Sequence, residues 1–143
     1  MNKKKRIPVL VVDDNDMMRS VLRGILRGDE YEIIGEGRNG THAVEMSKNL
    51  QPWIVCLDIQ MPEKDGLTAL EEIKEAQPKI QVVIITGSAD GETVKQAVQF
   101  GACGFIVKPF NAANVLKALE KATQRYREQA AAKPASPPPT SAD

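Results

Sequence analysis

Trp53-Ile54-Val55-Cys56-Leu57-Asp58 sets five apolar residues in a row directly before a single carboxylate. The run does not alternate, so both faces of the segment must be buried. That is the pattern of an interior strand in a parallel sheet, with helices above and below. Val9-Leu10-Val11-Val12 upstream and Val82-Val83-Ile84-Ile85 downstream read the same way. A polar group ends each of these runs too: Asp13-Asp14 after the first and Thr86 after the other.

The full apolar runs are Ile7–Val12, Tyr31–Gly35, Trp53–Leu57, Ile80–Ile85 and Gly104–Val107. Between them lie residues at helical spacing. Met17, Met18, Val21, Leu22, Ile25 and Leu26 form a first stripe, and both methionines read as core. Ala43, Val44, Met46, Ser47 and Leu50 form a second, and Leu67, Leu70, Ile73 and Lys74 a third. Val94, Ala97, Val98 and Gly101 mark a fourth, and Val115, Leu116, Leu119 and Ala122 a fifth. Five strands alternating with five helices predict an α/β protein, a doubly wound parallel sheet with right-handed crossovers.

At 143 residues, the chain has the size of one domain. Lys+Arg and Asp+Glu both number 19, so no net field draws it to nucleic acid or a membrane. No apolar stretch is long enough to span a bilayer. Cys56 and Cys103 are far apart without metal-ligand spacing, and read as buried thiols in a reducing cytoplasm. Residues 1–6 form a basic leader, expected to be solvated. The folded domain is expected over 7–127. Residues 128–143 are rich in Ala, Pro and Ser and are expected to be a disordered tail or a truncated linker. His42, the single histidine, is expected at the surface.

In a doubly wound sheet, chemistry collects at the carboxyl ends of the strands. Asp13, Asp14, Asp58, Thr86 and Lys108 all fall at such ends. Three carboxylates in one cleft repel one another and call for a positive partner. A hard divalent cation suits them, and Mg²⁺ keeps open positions that phosphate oxygens can fill. Lys108 offers a compact positive charge and Thr86 a hydroxyl. A carboxylate can itself take a phosphoryl group, and Asp58, standing alone at a strand end, is the best candidate. Each residue alone has a plainer reading as a cap or a turn; their joint placement carries the argument.

The same residues resemble the receiver domain of bacterial two-component response regulators, most closely the single-domain chemotaxis type. The matching pieces are Val11-Val12-Asp13-Asp14, Leu57-Asp58-Ile59-Gln60-Met61-Pro62 with Asp65-Gly66, Ile84-Ile85-Thr86-Gly87, and Gly101 to Phe110. The resemblance spans about residues 7–125. It implies a flavodoxin-like (βα)5 sheet of strand order 2-1-3-4-5. It implies a phosphorelay protein that is not an enzyme beyond its own phosphorylation and dephosphorylation. Asp58 would be the phosphoacceptor. Mg²⁺ would bind Asp14 directly, Asp13 through water, Asp58, and the backbone carbonyl of Gln60. Lys108 would contact the phosphoryl group, and Thr86 and Phe105 would form a switch pair.

The resemblance also implies a cis peptide at Lys108-Pro109, and variable tuning positions at Gln60 and Ser88. Implied partners are a histidine kinase or phosphotransfer protein and a downstream protein target, but not nucleic acid or membrane. The chain would be a monomer or a phosphorylation-dependent dimer. From residue type, Gly87 leaves room beside the site, and Gly66 suits a turn with positive φ.

Other readings fit less well. Asp14-x-Asp16 could mark an aspartyl phosphohydrolase, but Asp58 and Lys108 would then be unexplained, and a cap domain to enclose a substrate is not expected within these residues. A silent interaction module would not need all five site positions. A flavin site is disfavoured because the Asp-rich first turn would repel phosphate.

Overall fold

The computed structural model describes residues 6–28, 30–61, 64–87 and 90–131. Pro62, Ser88, most of the basic leader and the tail beyond Ala131 lie outside the described residues. Among the described residues ten elements alternate: β1 (Ile7–Val12), α1 (Asp16–Ile25), β2 (Tyr31–Gly37), α2 (Gly40–Leu50), β3 (Ile54–Leu57), α3 (Gly66–Ala76), β4 (Gln81–Thr86), α4 (Gly91–Gln99), β5 (Gly104–Val107) and α5 (Ala112–Ala131). All strand pairs are parallel and the order is β2-β1-β3-β4-β5.

The unalternating runs are interior strands, as expected. β1, β3 and β4 are buried almost throughout. Successive side chains of a strand point to opposite faces, and the core is accordingly in two layers. Val9 and Val11 face one, with Leu22, Val115 and Leu119. Leu10 and Val12 face the other, with Leu57, Leu70 and Ile73.

Each helix begins just after a strand, and a short polar side chain caps it. Asn15, Asn39, Asp65, Asp90 and Asn111 accept from the backbone N–H of Met18, His42, Thr68, Thr93 and Asn114. These caps satisfy donors that a helix start leaves unpaired. They also aim the helix N-termini toward the sheet edge that carries the acids. Among the described residues no helix is long and apolar enough to cross a membrane.

The structure corrects several expectations. Met17 is 70% exposed, not core, and Met18 is only half-buried. The inward side of α1 is centred on Arg19 and Leu22, so Met17 and Val21 turn outward. Val98, Leu50 and Leu116 are exposed as well, because each helix is covered on one side only and the apolar stripe is wider than the contact. Gly66 has no positive φ; among the described residues that conformation belongs to Gly28, Gly101 and Gln51. α5 runs to Ala131, past the boundary expected at residue 127. His42 is exposed and both cysteines are buried, as read.

Candidate functional site

β1, β3, β4 and β5 deliver four of the expected residues to one edge. Asp13 follows β1, Asp58 follows β3, Thr86 ends β4 and Lys108 follows β5. Asp13 and Asp58 are buried, at 2% and 5% exposure, as is Thr86. Asp14 is exposed at the rim. One carboxylate oxygen from each of Asp13, Asp14 and Asp58 lies within 4.8 Å of the others. That is a cluster of hard oxygen donors of the kind a divalent cation takes.

Among the described residues, Lys108 is the cation that touches the buried pair. Its Nζ donates to Asp13 Oδ2 at 2.9 Å and to Asp58 Oδ2 at 3.3 Å. One ammonium therefore serves two buried carboxylates. Burial, and then the neighbouring Asp13 carboxylate, push the Asp58 carboxyl above the usual range; Lys108, the Thr86 side chain and the Gln60 N–H pull the other way and do not win. Burial works against the Lys108 charge too, but the carboxylates outweigh it and hold the ammonium above the usual lysine range. The site is short of positive charge, and the donor set fits Mg²⁺.

The three acids are held differently. Asp13 Oδ1 accepts from Asn15 N–H at 2.9 Å while Oδ2 takes Lys108, so both oxygens are engaged. Asp58 makes longer contacts, 3.3 Å from the Gln60 N–H and 3.3 Å to Lys108. Gln60 thus has its main chain at the site and its side chain exposed. Phe105 is half-buried on β5, in register with Ile84, and packs on the second core layer. The Lys108-Pro109 peptide is cis.

Gly66 is small because of a close approach and not because of its φ. A Cβ there would sit 2.2 Å from the Asp58 carbonyl oxygen, and its N–H donates to Ile59 O at 2.9 Å. Gly40 is similar: a Cβ would sit 2.1 Å from the Lys64 carbonyl oxygen. A Cβ on Gly87 would meet nothing within 4 Å among the described residues.

Sequence reading missed Arg19. It is 7% exposed, and its guanidinium bonds the Asp13 carbonyl, Asp16 and Glu36. The Asp16-x-x-Arg19 spacing was visible, but Glu36 becomes a neighbour only through the β1–β2 pairing.

Comparison with known proteins agrees with the fold. Residues 9–120 match the response regulator receiver domain model. The chain is 41% identical to chemotaxis protein CheY of Listeria monocytogenes over 118 residues, 82% of this chain and 99% of the relative. It is 44% identical to CheY of Halobacterium salinarum over 111 residues, 78% of this chain and 92% of that one. Among solved structures, the CheX-CheY-BeF3-Mg+2 complex from Borrelia burgdorferi matches with a TM-score of 0.78 and 34% identity, over 82% of this chain and 89% of that one. The response regulator domain of Thermotoga maritima CheB matches with a TM-score of 0.74 and 32% identity, over 86% of this chain and 98% of that one. Strand order, the buried acids under one lysine, and a match across most of the length lead to one conclusion: the chain belongs to the response regulator receiver domain family, as a CheY-like member.

Proposed function

We propose that Asp58 accepts a phosphoryl group from a histidine kinase, a phosphotransfer protein or acetyl phosphate, and that this switches a protein-binding face. The observation that carries the proposal is the placement of Asp58. It is buried in a cluster of three acids, beside a lysine, with longer contacts than Asp13 makes. Asp13 is held at 2.9 Å on both oxygens and Asp14 stands exposed at the rim, while the Asp58 contacts to the Gln60 N–H and Lys108 are 3.3 Å, so Asp58 is the buried carboxylate that releases an oxygen most readily.

An Asp58 carboxylate oxygen attacks phosphorus. The new O–P bond forms as the bond to the donor nitrogen, or to the acetate oxygen, breaks and leaves its electron pair on the donor. Lys108 turns from the carboxylates to the incoming phosphoryl oxygens. Asp13, Asp14, Asp58 and the Gln60 carbonyl would hold Mg²⁺, which supplies positive charge against those oxygens. Thr86, buried at the end of β4, donates its hydroxyl to the phosphoryl group. The Phe105 ring then turns inward, and the face made by α4, β5 and α5 changes its affinity for a downstream protein. The protein would work in the cytoplasm, as a monomer or a phosphorylation-dependent dimer. It would contact neither nucleic acid nor membrane, and would catalyse only its own phosphorylation and dephosphorylation.

The test is intact mass after exposure to acetyl phosphate. One added phosphoryl group is expected with MgCl₂, and none with EDTA or in Asp58→Asn. An adduct that survives Asp58→Asn would overturn the assignment.

A further inference from the structure

We infer that Arg19 is a positioning residue for the metal site, fixing the Asp13–Asp14 turn from beneath. This rests on the Mg²⁺ reading above and deepens it. Arg19 is buried, yet each of its three nitrogens has an acceptor. Nη1 donates to the Asp13 carbonyl at 2.7 Å, Nε donates to Glu36 Oε1 at 3.1 Å, and Nη2 pairs with Asp16. Glu36 is held in turn by Arg23 at 2.7 and 2.8 Å. A rigid guanidinium fork is suited to joining three acceptors in fixed geometry, where a lysine could not. Burial works against the Arg19 charge, but the Asp16 and Glu36 carboxylates outweigh it, so the guanidinium stays charged where it joins these acceptors.

The hold on Asp13 is complete. Its N–H donates to Gly37 O at 3.1 Å, and its two carboxylate oxygens take Asn15 N–H and Lys108. Its carbonyl takes Arg19. Of these partners Arg19 alone is a side chain outside the acid cluster and its lysine. Without it the peptide between Asp13 and Asp14 can rotate, and both carboxylates lose their aim. Groups that orient metal ligands in this way commonly matter 10–100-fold to metal affinity.

The sign of the effect separates positioning from plain electrostatics. Arg19 is a cation near a cation site, so by charge alone its removal should tighten Mg²⁺. Loss of positioning should weaken it. The experiment is calorimetric titration of the full chain with MgCl₂, comparing wild type with Arg19→Met, together with hydrogen exchange of the Asn15 amide in EDTA. The expected result is about a 10-fold weaker Mg²⁺ affinity and faster Asn15 exchange in Arg19→Met. Arg19→Lys keeps the charge and loses the fork; it should weaken Mg²⁺ in the same direction, and stands in if the Met variant does not fold. Unchanged or tighter Mg²⁺ binding in these variants would overturn the role of Arg19. Failure of the wild-type chain to bind Mg²⁺ would instead overturn the metal site itself.

Discussion

Lys108 Nζ lies 2.9 Å from Asp13 Oδ2, although 95 residues and two intervening strands separate them. β1 and β5 are not neighbours, so the lysine stem must reach across the ends of β3 and β4. It passes Asp58 on the way, at 3.3 Å. The contact exists because the sheet topology brings these strand ends to one edge, and it places one ammonium against two buried carboxylates.

Asp58→Asn should stabilise the metal-free protein. The Asp58 carboxyl is pushed up by burial and by Asp13, so holding its charge costs the folded state free energy at neutral pH. For a raised carboxyl, stability is full below the unfolded value and is lost as pH rises through the folded one. An uncharged isostere removes that loss. Urea unfolding at pH 7 in EDTA should show a gain on the order of 1 kcal/mol. Excess MgCl₂ should shrink or reverse the gain, since the wild type alone keeps all three acids. A variant less stable than wild type in EDTA contradicts the charge argument.

Lys108→Ala should act in the opposite direction. It leaves two buried carboxylates facing each other without their ammonium. A loss of about 2 kcal/mol is expected in EDTA, below the roughly 3–5 kcal/mol for a fully buried pair because the Lys108 side chain is partly exposed. MgCl₂ should restore part of it. Equal unfolding midpoints with and without Lys108 would show that the contact contributes nothing.

Gly66→Ala and Gly87→Ala should differ sharply. At Gly66 the new methyl would sit 2.2 Å from a backbone oxygen of Asp58, which cannot move aside without shifting the site. A cost of about 3 kcal/mol or more follows. At Gly87 the methyl meets nothing within 4 Å among the described residues, so a change within about 0.5 kcal/mol is expected. Chemical denaturation of the pair, side by side, checks both; similar costs would contradict the packing.

Cys56 should be inert in the folded state. Burial pushes its thiol up to about 12 from an ordinary value of 9.0. The folded protein therefore keeps this proton while the unfolded chain loses it, and stability should fall between pH 9 and about 12. Iodoacetamide at pH 8.5 should label Cys56 only at the rate of unfolding, with peptide mapping as the readout. Fast labelling of native protein would contradict the burial.

These residues also show what could be read from sequence. The three apolar runs ending in Asp13, Asp58 and Thr86 located the sheet and its reactive edge, because local burial pattern and strand ends are written in consecutive residues. Arg19 was not legible, since its partner Glu36 arrives through strand pairing. Gly66 was read as a turn with positive φ. Its real constraint, the Asp58 carbonyl, lies eight positions away in sequence and touches it only after the loop folds back. Met17 was read as core because helical spacing gives a stripe, not the width of the face that the sheet covers.

The most direct measurement asks which carboxylate carries the phosphoryl group. The full chain is treated with acetyl phosphate and MgCl₂, then with borohydride, which reduces an aspartyl phosphate to homoserine and releases phosphate. Peptides are then sequenced by mass spectrometry. Homoserine at position 58 alone, and only when Mg²⁺ was present, is the predicted result. Homoserine at Asp13 or Asp14, or at none of the three, would contradict the account.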